Sequence, residues 1–171
     1  MWLTKKILVA TDFAEASRAA SEVGVELARM FHVPLVLMHA YHVPMQVYTG
    51  VPVVPVAGYV RAYEDAAREA LENERIRLAA AGVDVNAVLR SGVAWEEILA
   101  TAKQLDVGLI VTGTHGRHGL PRALLGSVAE KVVRLSPVPV LTIHGGGASR
   151  ATVGGDKRDA APSDEARSPA S

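Results

Sequence analysis

Residues 113 to 128 read Gly113-Thr114-His115-Gly116-Arg117-His118-Gly119-Leu120-Pro121-Arg122-Ala123-Leu124-Leu125-Gly126-Ser127-Val128. Glycine lets main-chain N–H groups approach a phosphate with no β-carbon in the way, and it permits positive φ. Gly126-Ser127 stands just before the apolar positions Val128, Val132 and Val133, so Ser127 is expected to cap a helix whose first-turn amides face an anion. Arg117 and Arg122 add charge within the same stretch. The chemistry this suggests is phosphate or nucleotide binding. The competing reading is a tight turn in which glycine serves backbone geometry only. Neither Gly-Lys-Ser/Thr nor G-x-G-x-x-G occurs here, so this is not a Walker loop or a dinucleotide fingerprint.

Other reactive side chains make weaker constellations. His39 and His42 are three apart, as are His115 and His118. A zinc site could be built from such pairs, but neither a fourth ligand nor supporting groups can be identified. Asp12 follows a strand-like run, where an Asp commonly caps the next helix and can also meet a ligand. Glu96 and Glu97 suit the positive end of a helix. No Ser-His-Asp or Cys-His order emerges from spacing, and without any cysteine thiolate catalysis and disulfides are excluded.

Alternating patterns supply the elements that must hold these residues. Strands are predicted at 7–9, 35–39, 83–89, 107–112 and 138–143. Helices are predicted at 15–32, 59–81, around Trp95–Leu105 and at 127–135. Ala16, Ala20, Val23, Leu27 and Phe31 mark the inner face of the first helix. Tyr63, Ala67, Ala70, Leu71, Leu78 and Ala81 mark that of the second, with Gly82 as its stop. Residues 43–58 carry three prolines and two glycines and read as a long loop. This β-α-β alternation predicts an α/β fold: a Rossmann-like five-stranded parallel sheet with helices on both faces. Ligands then bind beyond the carboxyl ends of the strands, where strand order reverses.

Composition agrees with such a domain. Of the 171 residues 49% are hydrophobic and 5% aromatic, a balance of Ala-rich helices on a Val-rich sheet. Eighteen basic residues balance eighteen acidic ones, so no general attraction to nucleic acid or anionic membrane is expected. No stretch suggests a signal peptide or a membrane span, and a cytoplasmic protein is expected. Residues 145–171, GGGASRATVGGDKRDAAPSDEARSPAS, are too poor in apolar residues to offset the entropy of ordering. The chain therefore divides into a domain over 1–144 and a disordered tail over 145–171, with a partner-binding role for the tail as the alternative.

Together these motifs resemble one family. The spacing G-x2-G-x9-G-S from Gly113 matches, without a gap, the ATP-binding signature of the universal stress protein family. Lys6-Ile7-Leu8-Val9-Ala10-Thr11-Asp12-Phe13 is similar to that family's first strand, and Leu37-Met38-His39-Ala40 to the end of its second. Leu109 to Gly116, Leu125 to Val133 and Pro137 to Leu141 agree as well. The resemblance implies that Asp12, after Thr11 and the variable position Ala10, joins Ala40 at the adenosine end of ATP. It places Gly113 near the ribose and Gly116, Gly126, Ser127 and the Val128 amide at the phosphates, and counts Thr114, His115 and Arg117 among the ATP-binding residues. It further implies Mg2+ held mainly by phosphate oxygens and water, and a homodimer through the last strand, 138–143. One departure is Gly108, where the family often has an acidic residue; Asp106 lies two positions earlier. The function implied is a stress-response regulator or sensor with at most slow ATP hydrolysis. The alternatives are a nucleotide-independent homodimeric interaction module and an enzyme acting on adenylates.

Overall fold

The computed structural model describes residues 4–42, 46–48, 51–53, 57–114 and 125–145. Its elements run β1 (Ile7–Ala10), α1 (Glu15–Phe31), β2 (Leu35–Tyr41), β3 (Gln46–Tyr48), β4 (Val51–Val53), α2 (Ala57–Ala79), β5 (Val85–Ser91), α3 (Ala94–Gln104), β6 (Leu109–Gly113), α4 (Ser127–Leu135) and β7 (Val140–Ile143). Five strands form one sheet in the order β5-β2-β1-β6-β7, and each pairing in it is parallel. This is the expected α/β architecture. The order reverses between β1 and β6, the neighbouring strands from which the chain winds outward in opposite directions.

Strand alternation builds a core on each face of the sheet. Ile7, Val9, Leu35, Leu37 and Val111 point to one side, where Ala20, Val25 and Ala28 of α1 and Leu71 and Leu78 of α2 cover them. Leu8, Val36, Met38 and Ile110 point to the other, beneath Ile98 and Ala102 of α3 and Val132 of α4. Being buried on both faces, β1 is an uninterrupted apolar run rather than an alternating one. Full burial of each such side chain is worth about 1.5–3 kcal/mol before entropy is counted.

The inner face of α1 differs from the expected one. Ser17, Ser21 and Gly24 are buried alongside Ala16, Ala20, Val25 and Ala28. Small residues win because the helix lies close to the sheet. A β-carbon on Gly24 would collide with Val9 Cγ2. Ser21 tolerates burial by donating its hydroxyl to the Ser17 carbonyl at 3.0 Å. On α2, Ala67, Leu71 and Leu78 are buried as expected, whereas Tyr63 is exposed; Ala81 is exposed and lies in the turn after the helix, which Gly82 closes with φ of 79°.

The stretch read as a loop over 43–58 contains structure. β3 and β4 pair antiparallel, Gln46 opposite Val53 and Tyr48 opposite Val51, and α2 begins at Ala57. Val-Pro-Val survives as a strand because a two-stranded ribbon has free edges, where a missing proline N–H costs no ladder bond. The strand boundaries shift by two residues for β5, β6 and β7, which start at Val85, Leu109 and Val140. Gly108 precedes β6 and donates its N–H to the Lys6 carbonyl at 2.9 Å. Asp106, at φ of 52°, ends the α3 turn and pairs with Lys5 at 2.7 Å. Of the expected tail, Gly145 is described and residues 146–171 lie outside the described residues.

Candidate nucleotide crevice

The reversal between β1 and β6 brings four segments to one end of the sheet: the β1–α1 turn, the end of β2, the end of β6 and the start of α4. A chain of hydrogen bonds organises the first. Thr11 donates its amide to the Met38 carbonyl at 2.9 Å. The Phe13 amide donates to Thr11 Oγ1 at 3.0 Å, and the Thr11 hydroxyl donates to Ser17 Oγ at 3.2 Å. Ser17 Oγ donates to Asp12 Oδ1 at 2.7 Å, and the Ala14 amide donates to the same oxygen at 3.0 Å. Asp12 therefore serves the entry to α1, as an Asp after a strand is expected to, with one carboxylate oxygen fixed by two donors. Ala14 is the N-cap residue itself and contributes no side-chain cap bond. Phe13 adopts φ of 65°, a left-handed conformation unusual for a bulky residue.

β2 continues past its last pairing with β1, Ala10 opposite Met38. His39 and Ala40 thus stand beyond the end of β1. His39 Nδ1 lies 2.7 Å from the Thr11 carbonyl oxygen, and its ring meets that of Phe13 with centroids 4.6 Å apart. Ala40 is half-buried against the α3–α4 core and sits opposite Arg90 of β5.

On the other side of the reversal, Thr114 is fully buried and donates its amide to the Ile143 carbonyl at 2.8 Å. Its carbonyl accepts the Gly126 amide at 2.7 Å. That bond brings the start of α4 beside the end of β6. Gly126, not Ser127, is the N-cap of α4; its backbone is extended, at φ −61° and ψ 152°, and no side chain caps the helix. Ser127 is the first helical residue, and its side chain is exposed. The Glu130 amide makes the first intrahelical bond, to the Gly126 carbonyl at 2.9 Å, so the amides of Ser127, Val128 and Ala129 precede the helical ladder. A helix start uncapped by any side chain suits an oxyanion. His115, Gly116 and Arg117 lie outside the described residues.

Gly113 has a packing reason to be glycine. A β-carbon there would lie 2.8 Å from both the Ala16 carbonyl carbon and the Ser17 nitrogen. Gly145 presses on the same residue: its β-carbon would lie 2.8 Å from Ala16 N and Cα. The start of α1, which carries the bonds to Asp12, is thus clasped between two glycines.

Of the other candidates, Trp95 is half-buried against the α3–α4 core, with Lys131 Nζ 4.9 Å from its ring centre. His42 is exposed at the end of β2. Among the described residues no three His, Asp or Glu side chains gather as a metal site. Strong ion pairing is found instead on α2, where a hydrogen bond from Arg77 holds the Glu74 carboxyl below its ordinary value despite opposing burial. Sequence reasoning passed over Ser17 and Phe13 as site residues. An Asp followed five positions later by a Ser in the first helical turn was the available signal for Ser17.

Fold and crevice together define a parallel α/β domain with a candidate ligand end at the strand-order reversal. A sequence model of the Universal stress protein family matches residues 4–144, and the chain belongs to that family. It is 34% identical over 145 residues to the universal stress protein YxiE of Bacillus subtilis, covering 81% of this chain and 98% of the relative. Among solved structures, the universal stress protein UspA from Lactobacillus plantarum superposes with a TM-score of 0.68 at 24% identity, covering 82% of this chain and 97% of that one. A universal stress protein from Archaeoglobus fulgidus in complex with dAMP gives 0.59 at 21% identity, covering 81% and 97%. Another universal stress protein, in complex with cAMP, gives 0.59 at 24% identity, covering 83% and 98%. These three structures establish the fold. No helix among the described residues is long and apolar enough to cross a membrane.

Proposed function

We propose that this universal stress protein binds ATP in the crevice and acts as a stress-response regulator or sensor, with at most slow hydrolysis. The observation carrying the reading is that a fixed carboxylate, Asp12, and the uncapped start of α4 lie at the same end of the sheet, on the two sides of the strand-order reversal. In this reading Ala10, Thr11, Asp12 and Ala40 form the adenosine end and Gly113, Thr114 and His115 lie near the ribose. Gly116, Arg117, Gly126, Ser127 and the Val128 amide take the phosphates. Members of the same fold in complex with adenine mononucleotides support an adenine ligand in kind. Mg2+ neutralises phosphate charge when bound. It would be held mainly by phosphate oxygens and water, which fits a crevice without a carboxylate cluster among the described residues. In this reading the crevice supplies ATP with positioning and electrostatics. Residues 1–144 are taken as the nucleotide-binding domain and 145–171 as an appended tail, and the nucleotide pool of the cytoplasm as its setting.

The test is direct. Protein purified without added nucleotide is denatured, and the supernatant is analysed by mass spectrometry; ATP is the expected release. Calorimetry with MgATP should show saturable binding. Absence of ATP from the supernatant together with no heat of binding would overturn the reading.

The homodimeric module is favoured by a separate observation: β7 is an edge of the sheet. The Pro139 and Ile143 carbonyls face β6, so strand alternation turns the backbone groups of Val140 and Thr142 outward, where a second copy can pair. Thr142→Pro removes an outward N–H without breaking a bond to β6. It should convert a dimer to a monomer in sedimentation velocity, and a dimer that persists would exclude this strand as the interface.

A further inference from the structure

We propose that His39 is the positioning residue of the crevice, holding the Thr11–Phe13 turn from β2 so that Asp12 faces the adenosine. The ligand in this statement rests on the ATP reading above; the role of His39 rests on the geometry of the turn.

The turn requires outside support. Phe13 occupies left-handed space at φ of 65°, which bulky L-residues avoid. The Thr11 carbonyl, freed from the strand ladder, accepts from His39 Nδ1 at 2.7 Å. A carbonyl oxygen only accepts, so Nδ1 must carry the proton. The same imidazole lies against the Phe13 ring, centroids 4.6 Å apart and planes inclined by 46°. One side chain therefore secures both neighbours of Asp12, the residue before it by a hydrogen bond and the residue after it by ring contact. Ser17 and the Ala14 amide hold the carboxylate itself from the α1 side. Both His39 and Asp12 are only half-buried, so the arrangement borders the crevice rather than filling the core. Without the Nδ1 donor the Thr11 carbonyl loses its partner from β2, and the Phe13 conformation loses the ring that opposes its relaxation.

Two variants separate positioning from general stabilisation. His39→Asn places an amide N–H near the position of Nδ1, whereas His39→Leu has no donor. MgATP affinity is measured by calorimetry, and amide hydrogen exchange is followed residue by residue in protein freed of nucleotide. For His39→Leu, affinity should fall about tenfold, the equivalent of roughly one lost hydrogen bond. Exchange at the Phe13 and Ala14 amides should accelerate while β1 and β2 keep their protection. His39→Asn should restore the part of both properties that the hydrogen bond carries, leaving only the part owed to ring contact with Phe13. Wild-type affinity and protection in His39→Leu would overturn the proposal. So would an asparagine variant as impaired as the leucine one, or protection lost evenly across β1 and β2. Should His39→Leu not fold, His39→Gln, whose donor reaches the Nε2 position instead, takes its place. If the wild-type protein binds no MgATP, the ATP reading fails, and exchange at Phe13 and Ala14 alone decides the role of His39.

Discussion

Replacing Gly113 by alanine tests whether β6 and α1 approach as closely as the geometry requires. The added methyl would lie 2.8 Å from the Ala16 carbonyl carbon, 2.8 Å from the Ser17 nitrogen and 3.0 Å from Ala16 Cβ. Ordinary contact begins near 3.4 Å, so the shortfall of 3.4 − 2.8 is about 0.6 Å. Two of the atoms met are backbone and the third is a β-carbon, and none can rotate aside; either the end of β6 or the first turn of α1 must move. Overpacking of this kind costs about 1–3 kcal/mol, which in a domain of this size lowers Tm by roughly 3–10 °C. The movement falls on the turn carrying Ala14 and Ser17, the two donors to Asp12 Oδ1, so MgATP affinity should drop as well, by about tenfold if one such bond is lost. Thermal denaturation and calorimetry on the same preparation read the two effects. Gly145→Ala, which presses on Ala16 from the end of the described chain, should cost less because Gly145 is exposed and can back away. A Gly113→Ala protein with the wild-type Tm would refute the packing argument and leave glycine there for the ligand alone.

Gly126 should behave in the opposite way. Its φ of −61° is open to any residue, so Gly126→Val should lower Tm by no more than a few degrees, the cost of a poorer N-cap being about 1 kcal/mol, while weakening MgATP binding by at least about tenfold, because a side chain then stands at the helix start; equal affinity would refute the assignment. Gly24→Ala should destabilise the fold by about 1–3 kcal/mol through its clash with Val9 Cγ2, and adding Val9→Ala should recover part of that loss in chemical denaturation; additive losses would show that the two sites do not meet. Glu74 titrates below its ordinary value of 4.5 because Arg77 hydrogen-bonds to it. Its contribution is therefore complete above that pH and fades as pH falls through the lowered value, while Arg77 stays charged throughout. Glu74→Gln should flatten this part of the acid denaturation curve by less than about 1 kcal/mol.

The parts of the fold legible in the sequence are those where one physical rule dominates. β1, β2 and β6 are apolar runs because both faces are covered, and α4 was bounded at Ser127–Leu135 by its steep division of apolar and polar positions. The misread parts are those where two rules compete. Spacing marks Ala16, Ala20, Val23, Leu27 and Phe31 as the α1 face, and Ala16 and Ala20 are buried while Leu27 and Phe31 pack on the core; proximity to the sheet adds Ser17, Ser21 and Gly24, and burial of a hydroxyl depends on a hydrogen bond that spacing does not reveal. Prolines at 52 and 55 argued for a loop, yet an edge ribbon accepts Pro52 within β4. Ser127 looked like a cap because its type favours that role, while the backbone assigned it to Gly126. At the crevice, the glycine spacing points to the end of the sheet where the strand order reverses. It could not show that Gly113 answers to Ala16, since that contact joins residues far apart in the chain.

Gly145 has a practical consequence through its seat on Ala16. Gly145 stands at the start of α1, at the crevice end of the sheet, whereas Lys5 enters β1 from the opposite end, beside Asp106. A fluorophore attached at position 145 therefore sits at the rim of the candidate crevice. One attached at position 5 stands a full strand length away, which makes it the better position for reporters that must not disturb nucleotide exchange.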